Sequence, residues 1–134
     1  MRDYPLSLDR YGISRELYNE LKWFCRQYPD KIAEISAIRG GFNNFDQDGM
    51  PRGSDTSNPT QQRALRALAL RDDIEAIEQS AIAADADLYQ QIINNVGRGI
   101  RYEEQAVPCG INQFYKARRA FFWRLAVRLG KIGD

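Results

Sequence analysis

The chain contains no histidine. That absence removes Ser-His-Asp and Cys-His nucleophilic sites, the HExxH zinc motif and every Cys/His zinc finger. Cysteine is scarce: Cys25 and Cys109 sit in ordinary helix and turn contexts. Reduced thiols are the simple expectation, with a disulfide or a metal site as the alternatives. Neither a Gly-x-x-x-x-Gly-Lys-Ser/Thr phosphate loop nor a Gly-x-Gly-x-x-Gly turn occurs. No apolar run approaches the roughly 20 residues that a membrane helix needs. Met1-Arg2-Asp3-Tyr4-Pro5 leads into mixed polar sequence, where a signal peptide would have its apolar stretch. The expectation is a cytoplasmic protein with no membrane association, cofactor or metal. Only a carboxylate-based enzyme survives these exclusions, and no spacing along the chain asks for one.

What is present is enough for a core: 134 residues, 43% hydrophobic and 28% charged, fit one small domain or a domain with an appendage. The pattern is all-α. Residues 1–38 form an N-terminal helical segment. Ser14 is a plausible N-cap, and Leu17, Leu21, Phe24, Cys25 and Tyr28 recur at three- and four-residue spacing. Pro29 can open a second helix, with Ile32, Ile35 and Ile38 on its buried side. Over residues 39–58 the periodicity stops. The Gly-, Asn-, Asp- and Ser-rich stretch from Arg39 to Asn58 reads as a flexible linker or a binding loop, in which Phe42, Phe45 and Met50 are the contact candidates. Asp46-Gln47-Asp48-Gly49 has the wrong glycine position for a calcium loop and no closing glutamate.

Asn58-Pro59 is a helix start, Asn as cap and Pro in the first turn. The helix should occupy residues 59–84, roughly 39 Å at 1.5 Å per residue. Ala67, Leu70, Ile74, Ile77 and Ala81 form a heptad-like seam on it. Two readings follow: an intramolecular core helix, or an oligomerisation seam. The second draws on charge, because Arg63, Arg66 and Arg71 precede Asp72, Asp73, Glu75 and Glu78, so an antiparallel pair would match basic with acidic halves.

Residues 85–134 carry the functional signal. A helix from Leu88 to Val96, a glycine break at Gly97-Arg98-Gly99, a short helix around Ile100 to Gln105, a turn through Pro108 and Gly110, and a long helix from Ile111 outline a helix-turn-helix. From Ala106 onward six bases face a single acid, a local charge of +5 in a chain whose total is +1. On a helical wheel Ile111, Phe114, Phe121, Phe122, Leu125 and Leu129 gather on one side, and Asn112, Lys116, Arg119 and Trp123 on the other, with Gln113 and Ala120 flanking. Asn, Gln, Lys and Arg are the side chains that read base edges, so Asn112, Gln113, Lys116 and Arg119 are the candidate base-reading residues. A solvated face of an ordinary amphipathic helix is the plainer alternative. Arg98, Arg101, Arg124 and Arg128 are candidate DNA-backbone contacts. Arg118 falls inside the apolar side and must be paired, so a structural ion pair with Glu103 or Glu104 is expected. Trp123 either flanks a phosphate or packs on another element.

The block Val107-Pro108-Cys109-Gly110-Ile111-Asn112-Gln113-Phe114-Tyr115, followed by Arg118-Arg119-Ala120-Phe121-Phe122, resembles the RinA/ArpU-like transcriptional regulators of phages of Gram-positive bacteria. So do Glu20 to Pro29, Asn58-Pro59-Thr60 and Ile77-Glu78-Gln79. The glycine-rich insertion from Arg39 to Asn58 departs from that pattern. The resemblance implies a phage or prophage transcriptional activator with a C-terminal part similar to sigma-factor region 4, and no catalytic residues. The resulting expectation is sequence-specific binding of double-stranded DNA, as a homodimer, with host RNA polymerase as a further partner. The alternatives are a small-terminase-like DNA-packaging protein and a protein-interaction adaptor.

Overall fold

Ser14 lies in extended backbone, and its hydroxyl accepts the Leu17 amide at 3.1 Å, which starts helix α1 (Arg15–Arg26). The computed structural model describes residues 11–48 and 58–133, with backbone alone for 41–48. After one turn residue, Gln27, the chain re-enters helix as α2 (Tyr28–Asp48), with Pro29 in its first turn, where the missing amide costs nothing. Asn58 caps α3 (Pro59–Ala84) by accepting the Gln61 amide at 3.1 Å. Asp85 ends it and accepts the amides of Asp87 and Leu88 at 2.9 and 3.1 Å, turning the chain into α4 (Tyr89–Arg98). A single 3-10 turn (Tyr102–Glu104) precedes α5 (Ile111–Arg128). Among the described residues there is no strand, and no helix is long and apolar enough to cross a membrane.

The core is built around α5. Phe114, Phe121, Phe122 and Leu125 are fully buried, and α5 makes its most extensive contact with α3, which brings Ala76, Ile77 and Ala81 into the same core. Helix α1 adds Tyr18, Leu21 and Cys25, and α4 adds Ile92, Ile93 and Val96. Tyr18 meets Phe122 edge-on at 5.2 Å, and Phe121 meets Phe122 at 5.1 Å, geometries that aromatic quadrupoles favour. Helix α2 joins this cluster at its start. The Tyr28 hydroxyl donates to Glu78 at 2.7 Å, and burial together with that hydrogen bond holds its pKa up at about 12. The Tyr28 ring lies so close to α4 that a Cβ at Gly97 would stand 3.2 Å from it, a tight contact that the glycine avoids. Lys31–Asp73 at 2.8 Å and the two-pronged Arg66–Glu34 contact at 2.9 and 3.1 Å fasten α2 along α3. Both cysteines are free, and burial pushes the Cys25 thiol up to about 12, so it behaves as a small apolar group.

Three expectations need correction. Residues 39–48 continue α2 as helix and are no linker; the rest of the expected loop, with Met50, lies outside the described residues. Gly40 and Gly41 each cost about 1 kcal/mol relative to alanine, yet extending an anchored helix needs no new nucleus. Phe42 and Phe45 thus fall on a helix. The short helix expected over Ile100 to Gln105 is only the 3-10 turn, since six residues between a left-handed Gly99 and a proline-bearing loop cannot sustain an α-helix. The seam Ala67, Leu70, Ile74, Ile77 and Ala81 is taken up by the chain's own core: Leu70, Ile77 and Ala81 are at most 1% exposed. The outward face of α3 instead carries Leu65 and Leu68, 59% and 53% exposed.

This orientation of α3 separates two neighbouring leucines. Leu70→Ala is expected to cost about 2–5 kcal/mol, and Leu68→Ala to stay within about 0.5 kcal/mol, in urea unfolding of dilute protein. Equal losses would contradict the orientation.

Candidate nucleic-acid interface

Helix α5 begins at Gly110 with no side-chain cap and no acid in its first turn. Its first amides therefore stay open to an external acceptor, and the positive end of the helix dipole is left unopposed. Asn112, Gln113 and Lys116 project from these turns and are exposed, as is the apolar Ile111 at 49%. Arg119, one turn further, is half-buried and engaged with neighbouring groups. Beyond it the polar side closes: Trp123 is half-buried, stacked on Tyr11 at 6.0 Å between ring centres, with the Arg124 guanidinium 5.5 Å from its ring. Trp123 is thus a packing residue, and the open part of the face is confined to the first turns of α5.

The segment that delivers α5 is held tightly although it is not a helix. Gly99, at φ +74°, ends α4 in the left-handed conformation. Asn95 Nδ2 then donates to the Ile100 carbonyl at 3.1 Å. Gln105 Nε2 donates to the Gln91 carbonyl at 3.1 Å and Gln105 Oε1 accepts from Asn94 at 3.2 Å, tying the loop back onto α4. Tyr102 donates its hydroxyl to the Cys109 carbonyl at 2.6 Å and packs against Phe114 at 5.5 Å, which sets the approach to α5. The Asn94-Asn95 pair and Gln105, absent from the sequence-level candidates, are what fix the loop. A pair of adjacent asparagines following the apolar Ile92-Ile93, just before a glycine break, was the available signal.

Arg118 has other partners than expected. Its Nε donates to Asn95 Oδ1 at 2.7 Å and its Nη1 to the Tyr18 hydroxyl at 3.2 Å, while its guanidinium lies 5.1 Å from the Phe122 ring centre and 5.5 Å from that of Tyr115. Among the described residues no carboxylate pairs with it. Glu103 and Glu104 are occupied by Arg101, at 3.8 and 3.3 Å. The cause is local: Glu104 folds back to accept the Arg101 amide at 2.9 Å, and that bond with the guanidinium holds its carboxyl below the usual range. Arg118 does lock helices, joining α5 to both α4 and α1, through neutral acceptors.

The candidate backbone-contacting residues do not form one group. Arg98 is exposed at the end of α4, 5.6 Å from the Tyr28 ring. Arg101 is engaged with its two carboxylates. Arg124 and Arg128 are exposed, about 12 and 18 Å along the axis from Lys116. No protein-family model, curated protein or solved structure matches this chain.

Asn95 is the hinge of the arrangement. Asn95→Ala is expected to strand the Arg118 Nε–H and leave the Ile100 carbonyl only the 3.5 Å contact from Gln105 Nε2, lowering stability by about 1–3 kcal/mol and raising amide hydrogen exchange at Gly99 to Glu104. Unchanged exchange there would show that the loop is held by other contacts.

Proposed function

We propose that this protein binds double-stranded DNA sequence-specifically and acts in transcription control. The observation that carries the reading is the first two turns of α5, where exposed Asn112, Gln113 and Lys116 surround an uncapped helix start free of acids. Side chains of these types at the N-terminal end of a helix are what major-groove readout uses. The unit offered to DNA is α4, its ordered loop and α5, a widened form of the helix-turn-helix, with Arg119 supporting the readout from the flank. Arg124 and Arg128 serve the phosphates further along. The resemblance to phage regulators of the RinA/ArpU kind agrees with this role.

A homodimer goes with the proposal. The surface that α3 leaves for pairing is its outward face, where Gln61, Leu65, Leu68, Asp72, Glu75, Gln79 and Ile82 succeed one another at alternating spacings of four and three residues. An antiparallel second copy centred between Arg71 and Asp72 sets Arg71 of each copy against Asp72 of the other. Leu68→Glu is expected to shift a dimer to monomer in sedimentation. A ring of many subunits would favour the packaging alternative.

Selection from pooled duplex DNA tests the readout. Lys116→Ala is expected to relax the selected motif and cost about 1–3 kcal/mol on cognate DNA, whereas Arg128→Ala weakens binding evenly across sequences. The enriched motif should fall away steeply with salt. Equal losses on cognate and random duplex for both variants would remove base readout, and absence of any duplex binding at low salt would leave an interaction adaptor.

A further inference from the structure

On the other flank of α5, away from Asn112 and Lys116, a cavity of about 210 Å³ opens between α1, α4 and α5. Its walls include Lys22 and Arg26 from α1, Asn95 and Gly99 from the end of α4, Arg101, and Arg118 from α5. Four of these are cations, and among the described residues no carboxylate lines the cavity. Cations gathered around one cavity favour an anion within it.

The local geometry keeps guanidinium donors of Arg118 available. A guanidinium has five N–H groups, and Arg118 commits two of them to Asn95 and Tyr18, which leaves three on a side chain whose direction those two bonds fix. Arg26 is exposed and laid against Gly99: a Cβ at that position would sit 3.0 Å from its Nη2. Gly99 therefore serves twice, adopting φ +74° and giving the Arg26 guanidinium room. Lys22 reaches the same space across the Tyr18 ring, at 4.6 Å from its centre. Arg101 closes the rim with its charge offset by Glu103 and Glu104.

Size narrows the ligand. The cavity holds roughly seven water volumes at about 30 Å³ each, and lies below the range of about 300–1,000 Å³ usual for whole small-molecule ligands. A single phosphoryl group fits, with the remainder of its molecule outside. Planar guanidinium forks match phosphate oxygens, and charge-assisted bonds to them are among the stronger ones a protein makes.

We propose that the cavity bounded by Lys22, Arg26, Arg101 and Arg118 is a binding site for a phosphate group, carried either by a nucleic-acid backbone or by a small phosphomonoester. It stands on different residues from the base-reading face, so it holds or fails separately from that reading.

The first test is calorimetric titration of the full chain with inorganic phosphate at constant ionic strength, comparing wild type, Arg26→Gln, Lys22→Gln and the charge control Arg15→Gln. Near-UV circular dichroism establishes that each variant is folded. Saturable binding, weakened at least tenfold by Arg26→Gln and by Lys22→Gln but not by Arg15→Gln, is expected. Binding that does not saturate, or that all four proteins share, overturns the site. The source is then read with a random-sequence duplex. If Arg26→Gln loses duplex affinity and free phosphate competes with the duplex, the ligand is a backbone phosphodiester. If duplex binding is unchanged while phosphate binding is lost, it is a small phosphomonoester.

Discussion

Phe114, Phe121, Phe122 and Leu125 are fully buried on one side of α5, and their burial determines where every other element can go. At about 1.5–3 kcal/mol for each large apolar side chain taken out of water, no surface contact competes with them. Once α5 lies on α3 by this face, α1 and the 3-10 turn cover its two flanks, Tyr18 against Phe122 and Tyr102 against Phe114. The rotation of α5 about its axis is thereby set. Rotation decides exposure: Asn112, Gln113 and Lys116 face outward because the phenylalanines must face inward.

Arg118 follows from the same constraint. It lies within the apolar side, where a guanidinium left without partners would be costly. Asn95 and Tyr18 satisfy it as neutral acceptors, so its positive charge persists at the junction of three helices. An ion pair there would have cancelled the charge. The arginine therefore does two things at once: it ties α1, α4 and α5 together, and it leaves an electropositive cavity between them. The base-reading candidates and the cationic cavity lie on opposite flanks of one helix, both fixed by what that helix buries.

The loop before α5 shows how order arises without regular structure. Between Gly99 and Gly110 the backbone is held by side-chain amides and the Tyr102 hydroxyl in place of a helical ladder. Each bond contributes only about 0.5–1.5 kcal/mol net, but together they leave the loop few alternatives. The connection from α4 to α5 depends on Asn94, Asn95 and Gln105, where a tight helix-turn-helix would depend on a short second helix.

Helix starts and faces were legible in the sequence because they rest on neighbours a few residues apart. Ser14 and Asn58 cap the helices that their positions announced, and α3 occupies the span from Pro59 to Ala84 that was expected of it. The phenylalanine side of α5 was likewise readable from spacing alone. Other features were settled by residues distant in the chain. Arg118 and Tyr18 are 100 positions apart, so no local pattern could have preferred that hydroxyl to Glu103 or Glu104. The Ala67 to Ala81 stripe has the same spacing whether it meets a second copy or the chain's own helices, and only the tertiary packing buried Leu70, Ile77 and Ala81 within the chain. The helix through Gly40 and Gly41 goes against local propensity, as an extension of a helix anchored elsewhere. The sequence by itself determined which segments are helical and which side of α5 is apolar. Partnership was decided by the folded chain, because burial and hydrogen bonding depend on what lies opposite in space.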